Sequence, residues 1–479
     1  VARGIEVTIL DVGEKLDAER QVVVERMKAT PHREWSESDI DRITENATLR
    51  DGGIPTKYVF GSSYVFAHSR DYLPTSWTDA PPATSLAHGG FSNAWGAAML
   101  PADPGDLTGW PVSSSDMDDA YRRVLARIPL SGTSDALDRV FPLHCEPQPL
   151  AKTSSAVNAF HDDLRATITG DGTPDVLVGK ARLSLYTDRG RDDQLACVKC
   201  GLCLSGCPIG AIHSAPHELA PMIRSGQTEY ISGLAVTRIT EQDNLVRVDC
   251  LDVETGQTVA HEFDRVFVGA GALNTTRIML NSLGMIDVPV PMLDTQKFLV
   301  PMLRFRGEPL TWPDETTLAG LFIEAKVPSL SEHWTHMQVT GVNELVLRRL
   351  GMGLDKTSGW RWSAFGPIIR RLLFGWGSLH SADSAPMSVQ LSAPGSAPIG
   401  NLHIKTELSA EAKRNVSRAR RHFSRVARRA GAITLAPATA ISPPGSNGHF
   451  GGSFPMTSDP VGPRQTDTLG RIRLDHDKR

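Results

Sequence analysis

Apolar and polar positions along the chain predict alternating strands and helices. Residues 5 to 12, IEVTILDV, carry β-branched side chains at Ile5, Val7, Thr8, Ile9 and Val12, the composition of a buried strand, and the run ends in Asp11 before Gly13. Asp116 to Leu125 reads as a helix opened by a serine cap near Ser114. Short alternating strands are predicted around Val236 and over Val246 to Leu251, with a hairpin at Glu254-Thr255-Gly256-Gln257. FDRVFVGAGALNTTRIMLNSLG then passes from a strand through a glycine turn into a helix. From 285 to 440 the pattern changes to many short strands with two Trp-containing segments. Near its end, Lys413 to Arg429 places Val416, Ala419, Phe423, Val426 and Ala430 at spacings of three and four among eight basic residues. That is an amphipathic helix with a solvated basic face rather than a nucleic-acid patch.

Composition narrows the class. A chain of 479 residues suggests two to three domains and is long enough to bury a sizeable core. Lys and Arg number 50 against 54 Asp and Glu, a formal charge of -4, so the overall field favours neither nucleic acid nor an anionic membrane. No apolar run approaches the roughly 18 residues needed to span a bilayer. The most apolar stretch, Phe365 to Leu379, is broken by Arg370 and Arg371. A small neutral substrate is therefore easiest to accommodate, with no nucleic acid and no membrane span.

Two sets of residues carry candidate chemistry. Paired Gly89 and Gly90, and the turn holding Gly269 and Gly271, let backbone approach a flat ligand closely. An acid at a strand end, such as Asp11, is placed as the ribose-binding carboxylate of a dinucleotide fold, although an ordinary turn aspartate fits equally. Four of the six cysteines, Cys197, Cys200, Cys203 and Cys207, fall within eleven residues as C-x2-C-x2-C-x3-C-P; Cys145 and Cys250 lie outside. This is the spacing of iron-sulfur ligands in bacterial ferredoxins. The alternatives are reduced structural thiols, and, less favoured, zinc or a disulfide.

Four segments taken in order, VTILDVG at 7 to 13, HGGFSNAWG at 88 to 96, VFVGAGALNTTRIMLNS at 266 to 282 and NGHFGGSFPMTSDPVGPRQTDTLGRI at 447 to 472, resemble the glucose-methanol-choline (GMC) family of FAD-dependent oxidoreductases over nearly the whole chain. The resemblance implies an α/β fold: a Rossmann-like FAD-binding domain, incomplete because its first strand is missing, with an α+β substrate-binding domain. It implies a chain truncated at both ends. The implied organisation is FAD domain over 1–125, a connecting segment over 126–175, the FAD domain again over 176–284 with the cysteine segment 197–208, a substrate domain over 285–440, and a return to the FAD domain over 441–479.

By the same resemblance Asp11 holds the adenosine ribose of FAD. Gly89, Gly90, Ser92, Asn93 and Trp95 line the isoalloxazine; Val236 lies near the adenine; Gly269, Gly271 and Ala272 form the turn at the adenosine end. Ala94 stands where some members carry a flavin-linked histidine, with His88 just upstream, so a histidyl link is not expected. Thr276 departs from the family's usual Pro or Ser. His449 matches the catalytic histidine: an imidazole titrating near neutrality suits removal of an alcohol's proton while hydride leaves the same carbon. His476 reads as tail.

The resemblance thus implies an enzyme, a dehydrogenase or oxidase acting on the CH-OH group of an alcohol or sugar-type substrate. A redox partner protein and an iron-sulfur cluster at Cys197 to Cys207 would accompany an electron-transfer role, the alternative reading; a degenerate flavin fold is the third. A cytoplasmic setting is compatible with the cysteine usage, and a signal peptide would lie upstream of Val1.

Overall fold

The computed structural model describes residues 4–45, 57–171, 175–188, 195–309, 314–327, 329–352, 360–395 and 399–472. Alternation of apolar and polar residues decides its largest feature. Among the described residues a seven-stranded antiparallel sheet runs in the order Ala432–Thr434, Lys297–Arg304, Leu372–Ser378, Trp334–Thr340, Leu321–Lys326, Val176–Lys180, with Ala440–Ile441 pairing the outer part of Lys297–Arg304. Residues alternate between buried and half-buried along Trp334–Thr340 and Leu372–Ser378. One face is therefore fully buried, while the other, half-buried, mixes Trp334, Phe374 and Trp376 with His336, Gln338 and Ser378.

The apolar face, with Phe298, Val300, Met302, Ile323, Met337, Val339 and Leu373, packs against two helices. Phe160 and Leu164 come from helix Ser155–Asp171; Val416, Ala419, Phe423 and Ala427 come from helix Ala410–Arg429. The latter is the predicted amphipathic helix, begun by Ser409, whose side chain accepts from the Ala412 amide. Gly377 is required on this sheet, since a Cβ there would lie 2.1 Å from the Phe298 ring.

The strand at 176–180, grouped above with the FAD domain, forms the edge of this large sheet by pairing with Leu321–Lys326. Elsewhere Val7–Leu10 pairs in parallel with Thr228–Ile231. A three-stranded meander comprises Leu234–Gln242, Leu245–Asp252 and Thr258–Phe263. The turn at 254–257 joins the second and third of these strands, not the first and second, because Asp252 accepts from the amides of Glu254 and Thr255 and closes the turn there. Helix Ser114–Leu125 is capped by Ser113, one residue before the expected cap, in a reciprocal arrangement with Asp116. A five-stranded sheet carries Val290–Asp294 beside the two-residue strand Phe450–Gly451. The whole is a mixed α/β architecture, as expected. No described helix is long and apolar enough to cross a membrane.

Removing the ring that helix Ala410–Arg429 inserts into the core tests this packing. Phe423→Ala is expected to cost about 3–5 kcal/mol in urea unfolding, whereas exposed Arg421→Ala should stay within about 0.5 kcal/mol. Equal effects would contradict the assignment of faces.

Candidate functional site

Strand register brings four polar side chains into one row on the outer face of the large sheet. Lys297 stands opposite Ser378, Ser378 opposite His336, and His336 opposite Glu324. Directly opposed residues on neighbouring strands have Cβ atoms about 4.5–5.5 Å apart. Glu324, 1% exposed, takes a hydrogen bond from His336 Nδ1 at 2.5 Å. The Phe322 ring supports the same imidazole edge-on at 5.0 Å. Lys297 has no hydrogen bond or ion pair to any described residue, and burial pushes its ammonium down to about 8, with Asp294 acting in the opposite direction.

His449 reaches this face from a separate turn. Asp294, 2% exposed, accepts from the Gly445 amide at 2.7 Å through Oδ2 and from the Thr295 amide at 2.8 Å through Oδ1. Asn447 donates to the Thr295 carbonyl at 3.1 Å, and its own Oδ1 accepts from the His449 amide at 2.8 Å. The acid thus fixes the 445–449 turn, and burial raises its pKa despite those amides. His449 feels Lys297 first, then burial, then His336, and is pushed down to about 3. More than a third of the residue is open to solvent, which screens the effect; the direction, an imidazole kept neutral through the physiological range, is what chemistry would use.

The turn also touches the glycine loop. A Cβ on Gly448 would lie 3.3 Å from the Phe91 ring, and the Ala83 amide donates to the Gly445 carbonyl at 2.9 Å. His449 and the 88–96 segment are therefore neighbours. Within that segment Ser92 Oγ donates to the Gly89 carbonyl and accepts from the Ala215 amide, while Asn93 donates to the carbonyls of His88 and Gly90. Trp95 Nε1 donates to the His213 carbonyl. These three side chains shape the loop rather than project from it. Gly89, at φ +82°, is needed for close approach to Pro216, 2.3 Å from its virtual Cβ. Gly90 faces open space, as do Gly269 and Gly271.

At the other end, Asp11 accepts from Tyr230 Oη at 2.8 Å, and burial raises its pKa against that bond and the nearby His88. His88 stacks on Tyr230 with centroids 4.7 Å apart, and its buried Nε2 has no hydrogen-bond partner. A cavity of about 420 Å³ opens beyond these strand ends, lined by Val12, Gly13, Ser232, Gly233 and Asp252 among others. It adjoins Asp11 and does not include His449. Val236 is half-buried between apolar clusters beside an irregularity in its strand. Gly271 caps helix Ala272–Ser282, whose Thr276 hydroxyl meets Ser453 Oγ at 2.7 Å, tying the glycine turn to the segment after His449. His476 lies outside the described residues.

The strand-end acid, the orphaned His88 nitrogen, the cavity beside them and the open glycine faces fit an FAD-type dinucleotide. The cysteine run forms a second cluster. Burial, first of all, pushes Cys197 up to about 11 and Cys203 up to about 12, and holds Cys200 well above its ordinary value, with the thiols acting on one another. All four are free thiols, so the disulfide alternative is corrected. Among the described residues no three of the sulfurs lie within 4.8 Å. A tetrahedral zinc with bonds of about 2.3 Å needs its sulfurs about 3.8 Å apart, so this spacing does not fit zinc. Buried Glu344 accepts from the amides of Leu204 and Ser205 and from Thr317 Oγ1, and Lys57 Nζ joins the run's surroundings to the Trp95 carbonyl at 3.1 Å.

Asp106, His333 and His380 bring three ligand atoms within 4.8 Å. The two rings, however, stack at 3.7 Å and 12°, so their in-plane lone pairs run parallel rather than converging on one ion. His333 Nδ1 bonds Asp106 at 2.9 Å, and the group reads as a hydrogen-bonded clasp.

No family model and no curated protein matches the chain. Among solved structures it is similar to the substrate-free form of the rebeccamycin biosynthetic enzyme REBC, at 13% identity over 53% of this chain and 48% of that one, with a TM-score of 0.17. The match spans about half of that enzyme, and likeness at this level carries no functional argument.

Sequence reasoning singled out His449 but missed Lys297, Ser378, His336, Glu324, Asp294 and Asn447. Replacing Asp294 by Ala leaves the Gly445 amide without its buried acceptor and is expected to cost about 1–3 kcal/mol in denaturant unfolding. No change in stability would mean that the carboxylate does not hold the turn.

Proposed function

We propose that the protein is an FAD-dependent oxidoreductase acting on the CH-OH group of an alcohol or sugar-type substrate, with His449 as the base. The observation that carries this reading is the placement of His449, whose pKa Lys297 and burial lower, between the open glycine loop and the row of Lys297, Ser378 and His336. Asp11 would hold the adenosine ribose, the amides near Gly271 the adenosine side, and the Gly90 backbone the ring. When bound, FAD supplies an acceptor for the hydride that leaves the carbinol carbon.

The remaining work belongs to the chain. His449 takes the hydroxyl proton, as a neutral imidazole must to act as a general base. Asp294 and Asn447 hold the base in place, and the apolar backing of the sheet keeps the polar row rigid. The C-x2-C-x2-C-x3-C-P spacing of Cys197, Cys200, Cys203 and Cys207 supports a second cofactor, an iron-sulfur cluster. A cluster would serve electron transfer to a partner protein.

Anaerobic reduction of added FAD by a panel of alcohols tests the first reading. His449→Ala is expected to slow reduction roughly 10²–10⁴-fold without loss of flavin binding; an unchanged rate overturns the role of the base. The wild-type rate should persist on the acid side well below pH 6.5, because a base whose pKa is depressed stays unprotonated there. Loss of activity centred near 6.5 contradicts it. For the cysteines, anaerobic reconstitution with iron and sulfide should yield bound iron that Cys203→Ser diminishes; iron-free protein with all four thiols titratable would assign them a structural role.

A further inference from the structure

Unspent hydrogen-bond donors beside the base set what the cleft can hold. Lys297 Nζ has no acceptor among the described residues, and the nearest acid that acts on it, Asp294, is already occupied by the amides of Gly445 and Thr295. Ser378, the next position in the row, makes no hydrogen bond through its hydroxyl to any described residue. His336 donates Nδ1–H to Glu324, which leaves the lone pair on Nε2 as an acceptor. These three groups occupy adjacent register positions on one half-buried face. No carboxylate is left for the Lys297 charge: Glu324 is buried and bonded to His336, and Asp294 is directed into its own turn. A neutral polyol offers hydroxyls that need both donors and acceptors. A carboxylate offers only acceptors, and charge-assisted bonds to it are roughly twice as strong as neutral ones.

We infer that Lys297 and Ser378 bind a carboxylate while His336 Nε2 accepts from a substrate hydroxyl, and that the substrate oxidised at His449 is therefore a hydroxy acid or sugar acid. The inference rests on the alcohol-oxidising reading and deepens it by naming the substrate class. It has a chemical consequence. A carboxylate seated on Lys297 offsets the cation that holds His449 neutral, so binding makes the imidazole more basic just when a proton is to be taken. Specificity and activation then share one contact.

The test is direct binding to the full chain, followed by calorimetry or ligand-observed NMR, with D-gluconate, D-glucitol and inorganic phosphate as probes. Gluconate and glucitol differ in having a carboxylate or a CH2OH at one end. Gluconate is expected to bind roughly 10- to 100-fold more tightly than glucitol, weakening as salt rises. Lys297→Met should remove the difference, Lys297→Arg should retain most of it, and Ser378→Ala should reduce it in part. Equal affinity for the two polyols in the wild-type protein overturns the inference without any variant. Preference for phosphate over gluconate, lost in Lys297→Met, overturns the choice of carboxylate. Because binding is read without turnover, gluconate selectivity in a protein that reduces no flavin would sink the oxidoreductase reading and leave this site standing. Flavin reduction by neutral alcohols without gluconate binding would do the reverse.

Discussion

A buried carboxylate decides where His449 stands. Asp294 closes the strand Val290–Asp294 and turns inward, where two backbone amides and the Asn447 side chain surround it. Burial alone would favour its neutral form, and each amide works against that. Held this way, it pins the 445–449 turn against both the large sheet and the glycine loop. Without that pin, His449 would belong to a loose connection. With it, the imidazole sits near Lys297, whose charge keeps it unprotonated.

Much of the architecture was legible in the sequence where the signal is local. Spacings of three and four in Val416, Ala419 and Phe423 described a helix that the structure finds from Ala410 to Arg429, and the strand before Asp11 appears as Val7–Leu10. Small-residue context around Gly448 singled out His449. The polar row was not legible, because Lys297, Glu324, His336 and Ser378 come from four strands whose alignment depends on register, and register is settled by packing of the opposite face. Asp294 likewise looks like a surface acid in PMLDTQ. Only the folded turn shows that its oxygens face amides.

The parts named for one role turn out to serve more than one. Ser92, Asn93 and Trp95 spend their polar atoms holding the glycine loop in shape, so its open backbone at Gly90 is what remains for a ligand. The cysteine segment is wired to the same loop: Lys57 bonds the Trp95 carbonyl, and burial lowers its pKa against the opposing pull of Cys203, Cys207 and Glu344. Changes of charge at the thiols would therefore be felt at the loop. Thr276, which departs from the pattern of the family the sequence resembles, supplies a hydroxyl link to Ser453 that a proline could not make.

The central claim is that Lys297, beside the 445–449 turn, keeps His449 neutral next to the glycine loop. Histidine-selective nitrogen NMR measures this directly, with His449→Asn to assign the signal. The account predicts a His449 ring that remains neutral from pH 8 down to pH 5, and that begins to titrate within this range when Lys297 is changed to Met. A wild-type His449 that protonates near pH 6.5, unmoved by loss of the lysine, would contradict it.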